Sequence, residues 1–441
     1  MSVLINKLRQ LFAPPGQIIL IIRLLTFRFL GLAVTFLFGL YVARNYGASA
    51  MGTYYLFVSF VTGISVLVKF GQETALIRAV GEDSNSCNAG AALFQSILLS
   101  SGLFVIIAFS ICFADSAWIA KVFKGIAPDT LLAFGLPTVP VFVILGLSCS
   151  VFRGLGKPHI ASGFDTLLLP IAIMLALIGL EFLHPALESR LLPVTAYIAA
   201  LYSVGVLSAI NCLKVVSFEW RSYVPSLKKT FVEAWPLFGV SLIVFLSNWS
   251  ASYILAIKMT EVEVGIYNIC WRLVVLIGTF LMALNHLNAP VFARLYKNGE
   301  IKELELISQK TSLLCLIVGF LFLGSLSLFS GRVLSIFGPE FVAGKVILII
   351  LAMGQLISMA CGSVGYLLMM TGNGKYQRNI NIATLILLIA ITPFLIDRYG
   401  MAGAAIGTAT IVALNNLSAV MVAKILLGIN VLPTSLGIYT K

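Results

Sequence analysis

Twelve unbroken apolar stretches follow one another along these 441 residues, and the connections between them are no longer than about 20 residues. A helix that crosses a bilayer takes about 20 apolar residues, and the stretches lie at 18–43, 53–80, 89–113, 130–152, 160–181, 192–214, 235–257, 265–290, 308–330, 342–370, 379–396 and 401–424. They are continuous rather than alternating, which excludes a spanning β-barrel. Sixty per cent of the residues are hydrophobic and 10% are charged, against roughly 25% charged in ordinary globular chains. The sequence therefore predicts an all-α integral membrane protein with no soluble domain of any size.

Charge placement sets the expected orientation. The net charge of +12 does not point to nucleic acid once its distribution is followed. Sorted by the side of the membrane they lie nearer, 17 Lys and Arg residues, among them Lys7, Arg153, Arg221, Lys228, Arg294 and Lys424, fall on the side of the N-terminus. Eight, among them Arg44, Lys121, Lys258 and Arg398, lie on the other. Positive loops stay in the cytoplasm, so both termini are expected there. Met1 to Gly16 carries Leu4, Leu8, Leu11 and Phe12 beside Lys7 and Arg9, and closes on Pro14-Pro15-Gly16. That pattern suits a short interfacial helix, and no cleavable signal peptide is visible. The seven cysteines, at 87, 112, 149, 212, 270, 315 and 361, form no CxxC pair. They suit small packing positions rather than a metal site or a disulfide framework.

The chain repeats itself at half its length. Gly52-Thr53-Tyr54 matches Gly265-Ile266-Tyr267, Gly154-Leu155-Gly156-Lys157 matches Gly372-Asn373-Gly374-Lys375, and Trp118 to Phe123 resembles Arg332 to Phe337, at offsets of 213, 218 and 214. Each match joins helix n to helix n+6. Two six-helix lobes of the same orientation, 1–214 and 235–441, are expected around a central cavity, with 215–234 as a cytoplasmic linker. No P-loop is present: Gly374-Lys375 lacks both the earlier glycine and the following Ser or Thr. Energy for any transport must then come from a gradient or the membrane potential.

Charges inside spans are costly, roughly 2.5–3.5 kcal/mol at the centre of a helix, and they usually face a partner or a wet cavity. Arg23 enters the first span by about 7 Å at 1.5 Å per residue and is able to snorkel to the surface. Arg28 is roughly twice as deep on the same rise. Ser59, Thr62, Lys69 and Glu73 follow one face of the second span. Lys69 and Glu73, at i and i+4, either neutralise each other or form a lumen-facing stripe whose carboxylate takes a cation or proton. Asn268, Arg272, Thr279 and His286 share a face of the eighth span, and Arg272 has no acid at i±3 or i±4. Asn248 and Ser252 add polar groups in the seventh. Asp165, in the fifth, is a surface carboxylate or a coupling site. Four cations (Arg23, Arg28, Lys69 and Arg272) thus stand against two acids (Glu73 and Asp165). A cationic lumen suits an anionic solute, and the arginine fork suits phosphate.

At this point the sequence resembles a family. Tyr46 to Tyr54 (YGASAMGTY), Phe70 to Arg78 (FGQETALIR), Glu261 to Tyr267 (EVEVGIY) and Arg153 to Lys157 (RGLGK) are similar, in order and spacing, to runs found in the multidrug/oligosaccharidyl-lipid/polysaccharide exporter superfamily. Within it they most resemble the Wzx-type flippases of O-antigen and other polysaccharide units. Tyr46-Gly47-Ala48 departs from that family's LGP form and leaves the subfamily open. The resemblance implies a multi-pass protein of the bacterial inner membrane that turns an undecaprenyl-diphosphate-linked oligosaccharide from the inner to the outer leaflet. It implies no catalytic step, no cofactor and no metal, with other polysaccharide assembly proteins as partners. The related lipid II flippases use arginines in the first and eighth helices, which carries over to Arg28 and Arg272, and less directly to Arg23. A drug/cation antiporter of the same superfamily is the rival, but its lumen should be acidic. A membrane polysaccharide polymerase would need a long outer loop, and the stretch from Asp115 to Asp129 is short. Reporter fusions at Lys441 and at Lys258 are expected to report opposite sides of the membrane; agreement between them overturns the topology.

Overall fold

The computed structural model of the protein describes residues 15–82, 86–113, 128–183, 190–216 and 227–433. All regular structure among them is helical. A bilayer offers no water to satisfy amide groups, so a spanning segment must pair them internally, which a helix does along its whole length. Ten of these helices are long and apolar enough to cross a membrane. The first, α1 (Pro15–Lys69), is double: it breaks at Gly47, where φ is 79° and ψ is −178°, conformations open to glycine. The break separates the first expected span from the second. A further break at Phe70 and Gly71 leads into α2 (Gln72–Glu82).

α3 (Ser86–Cys112), α4 (Leu131–Gly154), α5 (Pro158–Leu183), α6 (Leu192–Val215) and α7 (Leu227–Lys258) follow the next five expected spans. The eighth is divided into α8 (Glu261–Val275) and α9 (Gly278–Lys297). Beyond them come α10 (Ile301–Leu328), α11 (Ser330–Phe337), α12 (Lys345–Cys361), α13 (Val364–Met370), α14 (Gly374–Tyr399) and α15 (Met401–Leu427). Counting both arms of α1 and the broken pair α8–α9, this is the twelve-span architecture the apolar pattern predicts. The expected N-terminal interfacial helix, the Trp118–Phe123 half of one repeat match and residues 217–226 of the expected linker lie outside the described residues.

The described residues gather into two compact units. The first contains 15–41, 57–82, 86–113, 128–183, 190–216 and 227–242. In it α4 packs on α2, α3 and α6, and α5 packs on α6. Gly31 of α1 lies directly on the backbone of α5, where a Cβ would stand 1.9 Å from the Thr166 carbonyl oxygen. The contact falls on a π-helical turn, Gly163–Leu168. Near the break in the second span, Gly71 (φ 77°) fits against the α7 backbone, 2.6 Å from the Ala234 oxygen if a Cβ were added. The Phe70 ring stacks on Phe231 and Phe238 at 4.8 and 4.5 Å between centroids.

The second unit contains 42–56 and 243–433. Here α15 packs on α12 and α14, and α12 also packs on α8 and α10. Beyond α15 the chain is tied down. The Asn430 amide donates to the Glu305 carboxylate at 3.0 Å, and Gln309 donates to the Asn430 carbonyl at 2.9 Å. Ile429 and Val431 are buried in a core with Phe292, Leu295, Leu304 and Leu367.

The corner of α1, residues 42–56, sits in this second unit through small residues. A Cβ on Gly52 would lie 1.8 Å from the Glu261 carbonyl oxygen, and one on Gly265 would lie 2.2 Å from that of Ala48. These are the two glycines that the repeat matches to each other. The corner is also held by the Ala48 amide, which donates to the Glu340 carboxylate at 3.0 Å. Backbone atoms block any added methyl, so Gly52→Ala and Gly265→Ala are each expected to cost about 1–3 kcal/mol, as overpacking does. Gly179, with nothing within 4 Å of a built Cβ, is the control. Its alanine variant should melt at or above the wild-type temperature in a thermal unfolding assay on detergent-purified protein, while the other two melt lower.

Candidate functional site

In the first unit two ion pairs lie close together, Lys69–Glu73 and Arg153–Asp165. Lys69, only 8% exposed, donates to Glu73 at 2.9 Å across one helical turn and the break. The Lys69 ammonium also lies 4.5 Å from the centre of the Phe142 ring. Gly146 of α4 makes room for the pair: a Cβ there would fall 2.2 Å from the Glu73 Oε1. One and two turns on along α4 come Ser150 and Arg153, and Arg153 forms an ion pair with Asp165 in the π-helical turn of α5. The Thr166 hydroxyl donates to the other carboxylate oxygen of Asp165 at 2.7 Å. A π-turn widens the helix and redirects its side chains, here placing an acid toward α4.

Sequence reasoning placed Arg153 in a cytoplasmic loop motif and missed its role. Its separation from Asp165 by a tight turn and the start of α5 gives no local spacing signal. Lys69 and Glu73 are legible because i and i+4 share a helical face. Arg23 and Arg28 are both exposed on the first arm of α1. Neither pairs with a carboxylate among the described residues. Arg28 flanks the seam that Phe27 and Gly31 make with the π-turn of α5, one residue round the helix from Phe27.

In the second unit Arg272 of α8 is exposed and has no ion pair with a described residue. Its guanidinium lies over the Tyr55 ring, 4.5 Å from the centroid. Tyr55 is 2% exposed and meets Tyr54 edge to face at 5.5 Å. Asn268, one turn before Arg272, is buried: it accepts from the Ser252 hydroxyl at 3.2 Å and donates to the Val264 carbonyl at 2.9 Å. It ties α7 to α8, with both ends of its amide in use. Asn248 is exposed and donates to the Val244 carbonyl at 2.8 Å. Among the described residues no group of three or more His, Cys, Asp or Glu side chains is arranged to hold a metal.

Broken helices, lone intramembrane arginines and a two-fold internal repeat define a multi-pass membrane protein of the transporter kind. The same fold occurs in an inward-facing multidrug resistance MATE family transporter of the MOP superfamily (TM-score 0.70, 14% identity, 92% of this chain and 98% of the other). It occurs equally in the lipid II flippase MurJ in an inward closed conformation (TM-score 0.70, 15% identity, 92% of this chain and 87% of the other). The fold is thus common to drug and lipid transporters. Over residues 21–296 the chain matches the family described as polysaccharide biosynthesis protein, and it belongs to that family. A curated relative, the probable low-salt glycan biosynthesis flippase Agl15 of Haloferax volcanii, is 25% identical over 405 residues, 90% of this chain and 81% of the relative.

The Lys69–Glu73 pair yields a measurable consequence. Removing one partner of a buried pair strands the other charge, whereas replacing both by apolar groups does not. Glu73→Leu, which strands the buried Lys69 ammonium, is therefore expected to lower the folded yield and melting temperature more than the double variant Lys69→Met/Glu73→Leu. Equal losses in a side-by-side unfolding assay would show that the pair is too wet to matter.

Proposed function

We propose that this protein is a flippase that carries a lipid-linked oligosaccharide across the membrane, with the diphosphate of the lipid carrier bound by arginines. Family membership and the relative named as a glycan biosynthesis flippase support the substrate class. The observation that carries the site is Arg272, a cation in the broken eighth span whose charge no described carboxylate neutralises. A drug/cation antiporter would need the opposite polarity at such a position. Undecaprenyl diphosphate is the carrier this reading assigns, in a bacterial inner membrane with both chain termini cytoplasmic.

Arg28 and Arg272 are the residues we assign to the diphosphate, with Arg23 nearer the surface as an auxiliary. A guanidinium offers two parallel donors to two phosphate oxygens, where an ammonium is a point charge. Lys69, already held by Glu73, is the weaker candidate for substrate contact, and Asn248 and Asn268 stand as polar neighbours of the path. The lipid tail stays in the bilayer while the headgroup crosses. The lobes 1–214 and 235–441 expose the headgroup to one side and then the other, and the segment 215–234 joins them. Glu73 and Asp165 are the carboxylates through which a proton or cation gradient would couple, since each balances a neighbouring cation that protonation would release. The chain performs no bond-breaking chemistry in this scheme. Other polysaccharide assembly proteins are the expected partners.

A charge-assisted hydrogen bond contributes roughly 1.5–3 kcal/mol, so loss of one arginine should weaken substrate handling about 10- to 100-fold. Arg28→Ala and Arg272→Ala are expected to abolish most surface polysaccharide in cells that lack the native protein, and Arg272→Lys to retain a fraction. Each variant must reach the membrane at normal level. Wild-type polysaccharide in both alanine strains would remove the diphosphate role.

A further inference from the structure

Arg272 stands against a tyrosine from far along the sequence, and the spacing of both helices explains how it gets there. Ala48, Gly52 and Tyr55 are separated by four and three residues and lie along one face of the helix. Gly265 and Arg272 are two turns apart on one face of α8. The two faces cross at the glycines, where Gly52 meets the Glu261 carbonyl and Gly265 meets that of Ala48. One turn past the crossing on one helix and two turns past it on the other, the Tyr55 ring meets the Arg272 guanidinium at 4.5 Å. Nothing larger than glycine fits at the crossing, so the contact fixes both the separation and the register of the pair.

We propose that Tyr55 is a positioning residue for Arg272: it holds the guanidinium and so aims its remaining N–H groups at the phosphate groups of the substrate. This rests on the assignment of Arg272 to the diphosphate made above. The Tyr55 ring and hydroxyl both act on the guanidinium, which has five donors and so keeps others for phosphate. Tyr55 is itself buried and braced by Tyr54, so it is a fixed platform under an exposed arginine. Its placement depends on the docking of residues 42–56, held by Gly52, Gly265 and the Ala48–Glu340 hydrogen bond. That corner belongs to the second unit although the helical arms on both sides of it belong to the first. The phosphate-binding arginine is therefore competent only while the corner is seated.

The test measures binding of undecaprenyl diphosphate to the purified full chain in lipid nanodiscs. Four proteins are compared with wild type: Tyr55→Phe, Tyr55→Leu, Arg272→Gln and the double variant Tyr55→Leu/Arg272→Gln. Tyr55→Phe keeps the ring contact and loses the hydroxyl, and should bind between wild type and Tyr55→Leu. Tyr55→Leu should bind about 5- to 20-fold more weakly, the range expected for loss of a partly desolvated cation–π contact. In the Arg272→Gln background Tyr55→Leu should have no further effect, because the residue acts through the arginine. An equal loss in both backgrounds, or wild-type binding by Tyr55→Leu, overturns the positioning role and leaves the role of Arg272 standing. Wild-type binding by Arg272→Gln overturns the diphosphate assignment itself, and this proposal with it. Tyr55→Met replaces the leucine variant in every comparison if the latter fails to insert.

Discussion

The approach of Gly52 to Gly265 is the contact on which the second unit depends. Between helices in lipid there is little hydrophobic drive, because the solvent is as apolar as the side chains, and association comes from close van der Waals packing and hydrogen bonds. Small residues allow that closeness. With carbonyl oxygens 1.8 and 2.2 Å from where Cβ atoms would lie, the two helices meet backbone to backbone. The meeting is also what brings Tyr55 and Arg272 together. The Glu340 carboxylate then accepts from Ala48, the first residue after the Gly47 break. A helix start exposes unpaired amides, and a carboxylate satisfies one of them.

The breaks follow a common logic. Gly47, Gly71 and Gly362 all have positive φ, and each lies where the chain must turn without losing its neighbours. Gly71 fits into the backbone of α7, and Gly362 lies against Ser312, 2.5 Å from its hydroxyl if a Cβ were added. Phe70 adopts φ 48° beside Gly71, an unusual conformation for a large side chain. Its ring is stacked among Phe231, Trp235 and Phe238, contacts that offset the strain. Irregular backbone at membrane depth is tolerated only where protein surrounds it.

Much of the architecture was legible because lipid enforces it. Apolar runs of spanning length, the half-chain repeat and the matched glycines Gly52 and Gly265 all show in the sequence. What the repeat could not show is that the two matched glycines touch. Asn268 shares a helical face with Arg272, yet that face is partly a packing face, where the buried amide bonds to Ser252 and Val264. The Arg153–Asp165 pair was invisible because it forms between helices, across a turn that gives no periodic signal. Arg272 was legible for the opposite reason. Its isolation is a statement about neighbours along one helix, and such neighbours can be counted from sequence. Tyr55 was hidden, since nothing local distinguishes a platform tyrosine from a packed one.

The tie-down of residues 428–433 has a consequence for biogenesis. Ile429 and Val431 complete a core whose other walls come from α9, α10, α12, α13, α14 and α15. On a ribosome these two side chains emerge only after all of those walls have been synthesised. The helices can enter the bilayer one after another, but this core cannot close until the spans are already across. Insertion of these helices and the final packing of this core are thereby separated in time.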